Sequence, residues 1–142
     1  MAYWLKISYE RKEYVVNFER VSAFCYEQNG RVTFWLPDCA IPIVINPQTN
    51  QQDYQKVLEY IQYITEAELE NSYWVKIHYE RNEYVINLNC ISSFCYEPPN
   101  GRITFWLPDG IIPIIINPVS NPESYEKVVN HIQKTTGHFL SE

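Results

Sequence analysis

One segment of this chain is written twice, and that limits the folds open to it more than any other feature. Tyr3-Trp4-Leu5-Lys6-Ile7-Ser8-Tyr9-Glu10-Arg11 recurs as Tyr73-Trp74-Val75-Lys76-Ile77-His78-Tyr79-Glu80-Arg81. Asn29-Gly30-Arg31-Val32-Thr33-Phe34-Trp35-Leu36-Pro37-Asp38 recurs as Asn100-Gly101-Arg102-Ile103-Thr104-Phe105-Trp106-Leu107-Pro108-Asp109, and Ile41 to Pro47 returns as Ile112 to Pro118. The offset grows by one where Pro98-Pro99 replaces Gln28. Roughly 60% of aligned positions are identical, far more than chance allows at a fixed period. The chain therefore reads as a tandem duplication. Residues 1–65 form one unit, 66–72 an acidic connector that could prolong a helix, and 73–142 the second unit. A unit this short is near the lower limit for a self-sufficient core, so the two are expected to pack together about a pseudo-twofold axis.

Within each unit the period is that of strands. Leu5, Ile7 and Tyr9 alternate with Trp4, Lys6 and Ser8. After the polar turn Glu10-Arg11-Lys12-Glu13, the alternation resumes at Tyr14, Val16 and Phe18. Val21, Ala23 and Cys25 follow in a new phase, which predicts a bend near Glu19-Arg20. Asn29-Gly30 predicts a type I′ hairpin, in which both central residues need positive φ. Pro42 cannot donate to a ladder and predicts an edge strand or a bulge. Tyr54, Val57, Leu58 and Ile61 then take helical spacing, as do Tyr125, Val128, Val129 and Ile132. Asn50 and Asn121 are the expected N-caps, with Pro122 at the first helical position and Gly137 at the C-cap. The fold class is α+β: a β-meander of four to five antiparallel strands closed by a C-terminal helix, twice over.

The opposite faces of these strands carry the candidate binding residues. Trp4 and Lys6 share one side of the first strand, and Arg31 and Trp35 share one side of the hairpin. Trp74, Lys76, Arg102 and Trp106 repeat the set. Two readings compete. In the first, the faces meet and all four indoles are buried between the units or in a homodimer, since an exposed patch of that size would be unusual. In the second, they form an aromatic and basic platform that stacks unpaired bases while Lys and Arg meet phosphates. The order of strands then helix, in tandem, is similar to that of PUR-type single-strand nucleic-acid binders. The unit also looks like a truncated pleckstrin-homology-type sheet with its C-terminal helix. Both likenesses lie in element order alone.

Charge weighs against the second reading. Seventeen acidic side chains against eleven basic ones give a net charge of -6, whereas nucleic-acid affinity draws on clustered Lys and Arg. No catalytic motif is present: no nucleophile elbow, no zinc-protease helix and no phosphate-cradling glycine loop. No histidine is shared by the two copies, and Glu10/Glu13 and Glu80/Glu83 read as solvated turn carboxylates. Cys25, Cys39, Cys90 and Cys95 contain no C-x-x-C pair and lack ligand spacing to the histidines, so neither metal nor cofactor is expected. Cys25 and Cys95 share one strand position and are expected to be small buried hydrophobes. No stretch approaches a membrane span, and the N-terminus opens into a strand pattern without a leader. The expectation is a soluble, cytoplasmic, non-enzymatic protein-interaction or scaffolding module. Its partner would be another protein or a second copy of itself, with single-stranded nucleic acid as the alternative.

Overall fold

The computed structural model describes residues 3–37, 41–66, 73–98, 100–108 and 112–138. Five strands lead into the first helix: β1 (Trp4–Tyr9), β2 (Lys12–Asn17), β3 (Ala23–Tyr26), β4 (Val32–Trp35), β5 (Pro42–Ile45) and α1 (Gln51–Glu66). The same order follows again as β6 (Trp74–Tyr79), β7 (Asn82–Asn87), β8 (Phe94–Glu97), β9 (Arg102–Trp106), β10 (Pro113–Ile116) and α2 (Pro122–Thr136). The fold is α+β, and every described ladder is antiparallel. Asp38, Cys39, Asp109 and Gly110 lie outside the described residues, as does the connector beyond Glu66.

The strands do not sort into one sheet per unit. β1 pairs with β2 alone, and β8, β9 and β10 form a three-stranded sheet. The remaining five make a single sheet in the order β5-β4-β3-β7-β6, so the first meander continues directly onto the second hairpin. The join is the β3–β7 ladder, with Ala23 opposite Ile86, Phe24 opposite Val85, Cys25 opposite Tyr84 and Tyr26 opposite Glu83. It extends through Asn87 N–H, which donates to Ser22 O at 2.9 Å.

Successive strand residues point to opposite faces, and this sheet has a core on each. Phe24, Val32, Phe34, Ile43, Ile45 and Val85 face one core with Val57, Tyr60, Ile61 and Ile64 of α1. Ala23, Cys25, Val75, Ile77, Tyr84 and Ile86 face the other, with Val128 and Ile132 of α2. Burial on both faces is why Ala23, Phe24 and Cys25 are all buried in succession. A twofold relation between the halves requires a reciprocal ladder, β2 on β8. None is present among the described strands.

The local expectations fare unevenly. Pro42, expected on an edge strand or at a bulge, sits on β5, a terminal strand of its sheet, and Pro113 holds the same place on β10. The bend at Glu19-Arg20 is a short 3-10 turn, Phe18–Arg20, whose Asn17 side chain accepts from Glu19 N–H at 3.1 Å. Gly137 caps α2 in the left-handed region at φ 78°. Pro122 opens α2, but the Asn121 side chain makes no cap bond. Its amide nitrogen donates to His78 O instead, at 3.2 Å.

The type I′ prediction falls on the wrong turn. At Asn29-Gly30 the glycine alone has positive φ, 93°. The loop is closed by Gly30 N–H to Glu27 O and by Glu27 N–H to Arg31 O, both 2.9 Å. The two-residue hairpin lies at Glu10-Arg11, with φ 50° and 66° between the paired Tyr9 and Lys12. Glu80 and Arg81 repeat it at 50° and 68°. A left-handed conformation costs a non-glycine residue about 1–2 kcal/mol, and glycine's extra unfolded-state entropy returns part of that. Arg11→Gly is therefore expected to stabilise the fold by about 0.5–1 kcal/mol. Urea unfolding should show a higher midpoint at unchanged slope, and a lower midpoint would refute the strain.

Candidate functional site

The four indoles divide into two pairs, and the β3–β7 join decides which is which. Trp35, on β4, packs against the core under α2. Trp74, on β6, packs against the core under α1, its ring centroid 6.1 Å from that of Phe24. Each thus crosses from its own half into the core of the other. Their counterparts, Trp106 and Trp4, are 45% and 60% exposed. The expectation that all four are buried is therefore corrected at Trp4 and Trp106. The reciprocal ladder that would cover them is absent among the described strands.

The same division runs through the smaller side chains. Val85 is fully buried whereas Val15, its counterpart on β2, is 66% exposed. Phe24 is fully buried and Phe94, on β8, only half-buried. Cys25 is 4% exposed, and burial pushes its thiol up to about 11, partly offset by a hydrogen bond from Tyr84 across the join. Cys95 is exposed, which corrects the expectation that both cysteines are buried. Sequence reading missed Val15 because period-two alternation places it opposite the core residues Tyr14 and Val16. The sequence held no signal for this, since only the sheet order shows that its counterpart Val85 is buried by a strand from the other half.

The cations of the candidate faces are largely engaged. Lys6 pairs with Glu13 at 3.3 Å, Arg31 with Glu27 at 2.7 Å and Arg102 with Glu97 at 3.0 Å. Thr33 also donates to Glu27, at 2.9 Å. Lys76 is exposed on β6. The structure therefore brings Trp35 and Trp74 to one join, leaves Trp4 exposed on an edge strand and Trp106 exposed on the central strand of the three-stranded sheet, and holds three of the four cations against carboxylates.

Among the described residues, no group of three or more His, Cys, Asp and Glu is placed to hold a metal ion. His78 is exposed and lies 3.2 Å from Glu83. His131 packs beside Tyr73 and Phe94, and burial holds its pKa below the ordinary value. A shallow polar depression of about 330 Å³ is lined by Ser8 and by residues 48–53 at the start of α1. Asp53 there accepts from Ser8 N–H at 2.9 Å. No described helix is long and apolar enough to cross a membrane.

No family model matches this sequence, and no curated protein or solved structure matches it significantly. The likeness to PUR-type and pleckstrin-homology-type units thus remains one of element order.

The depressed pKa of His131 has a consequence for stability. A base whose pKa is lower folded than unfolded binds its proton more tightly in the unfolded chain. Its contribution is complete above 6.5, the ordinary value, and is lost as pH falls below it. Wild type should lose stability relative to His131→Tyr, which installs the residue at the matching position of α1, between about pH 7.5 and pH 5.5. Parallel stability–pH curves from denaturant titration would contradict this.

Proposed function

We propose that the chain is a tandem duplication acting as a non-enzymatic protein-interaction or scaffolding module. A twofold relation between its halves would need two junctions, and the β3–β7 ladder supports this reading as one of them. The single observation that carries the reading is the division of the indoles. Where β3 meets β7, tryptophans of this repeat pack across into a core; on β1 and β9 the same residues face solvent. Exposed indoles beside open strand edges are what protein interfaces favour, since aromatic anchors dominate their energetics. Unpaired strand edges also offer main-chain hydrogen bonds to an added strand. Thiols at Cys25 and Cys95 suit a reducing, cytoplasmic setting.

Single-stranded nucleic acid is the weaker alternative. Stacking would use Trp4 and Trp106, but phosphates would have to compete with Glu13, Glu27 and Glu97 for Lys6, Arg31 and Arg102. The net charge of -6 opposes the approach of a polyanion.

Trp4→Ala combined with Trp106→Ala should abolish retention of partner protein on a column of the immobilised chain, with circular dichroism unchanged. Titration with single-stranded oligonucleotides should leave tryptophan emission unaltered. Salt-dependent oligonucleotide binding that the double variant loses would overturn the protein-binding reading in favour of the base-stacking one.

A further inference from the structure

We infer that the open edges of β2 and β8 pair with each other between two copies of this chain, in the register of the β3–β7 ladder. The inference rests on the protein-interaction reading and names the partner. β2 is the repeat counterpart of β7, and β8 that of β3, at a common offset of 70 residues. The chain thus contains one made example of this interface and both halves of a second, unmade one. Transferring the observed register places Ser93 opposite Val16, Phe94 opposite Val15, Cys95 opposite Tyr14 and Tyr96 opposite Glu13.

Three features favour a second copy over an unrelated strand. The exposed apolar surface on these strands is at Val15, with Phe94 half-buried, and the register sets these two opposite each other, as Val85 faces Phe24. The first residue of β2 and the last of β8 also match in charge. Continuing the register by one residue puts Lys12 opposite Glu97, where the same extension of the internal ladder would put Asn82 opposite Glu27. Finally, neither edge is defended in its middle by proline, bulge or charge, the devices that keep solitary edges from pairing. Two such junctions related by a twofold axis close a dimer and cover Trp4 and Trp106 as Trp74 and Trp35 are covered at the internal join.

The decisive experiment is a register-specific cross-link. Tyr14→Cys is introduced with Cys39→Ser and Cys90→Ser, leaving Cys25 and Cys95 in place, and the purified chain is oxidised mildly. Directly opposed residues in antiparallel strands lie within disulfide reach. A reducible species of twice the single-chain mass, absent when Cys95→Ser is added, is the expected result. A cross-link confined to the single-chain mass means that β2 and β8 close within one molecule, and it overturns the proposal; so does no cross-link at all in a folded variant. Light scattering on the unmodified protein provides a second test that needs no cysteine variant. Wild type should exceed the single-chain mass at about 100 μM, and Val15→Lys should return it to that mass. A wild type that stays at single-chain mass overturns the pairing. Such failure leaves retention of a different protein through Trp4 and Trp106 intact, so it is distinguishable from failure of the interaction reading itself.

Discussion

The ladder between β3 and β7 is the contact on which the rest of the molecule depends. Among the described strands it is the one ladder that joins the two halves of the chain, and its side chains divide alternately between two cores. Phe24 and Val85 go to the α1 side, while Ala23, Cys25, Tyr84 and Ile86 go to the α2 side. Each half of the chain is near the lower limit of length for a self-sufficient core. Sharing a five-stranded sheet gives both helices a floor to pack on, and it makes each core depend on strands from the other half. Truncating a fully buried phenylalanine such as Phe24 typically costs about 3–5 kcal/mol, and here the loss would fall at the join itself.

That join also explains how residues of nearly identical sequence come to have different surroundings. A repeat joined by one head-to-tail contact has two ends, and the ends must differ from the middle. Val15 and Val85, Phe94 and Phe24, Trp4 and Trp74, Trp106 and Trp35 are four such pairs. In each, the more buried member is on or next to the join and the more exposed one lies toward an end. The physical cause is that, among the described strands, β2 and β8 have no further strand alongside where β7 and β3 have each other, rather than any difference in side-chain chemistry.

Much of the architecture was legible in the sequence. Period-two alternation located the strands, Pro42 marked an edge strand or a bulge and lies on a terminal strand, and the i, i+3, i+4, i+7 spacing located both helices. What was not legible follows from sheet continuity. Alternation within one strand assigns faces, but it cannot say which strand of the other copy lies alongside. Hence Cys25 and Cys95 read alike although one is buried and one exposed. Turn chemistry misled in one place, since the two-residue hairpin is made by Glu10-Arg11, residues with no preference for positive φ, and not by Asn29-Gly30. The candidate site was legible as a set of four tryptophans; its division into covered and open pairs was not.

Native-state hydrogen exchange on the β3–β7 join tests the shared sheet most directly. If the two halves fold as one cooperative body through this ladder, amides of Ala23–Tyr26 and of Val85–Asn87 exchange last, together, and with the free energy of global unfolding. Exchange of the two strands at different rates, each well short of global unfolding, would mean that the halves are separately folded, and the shared sheet would be contradicted.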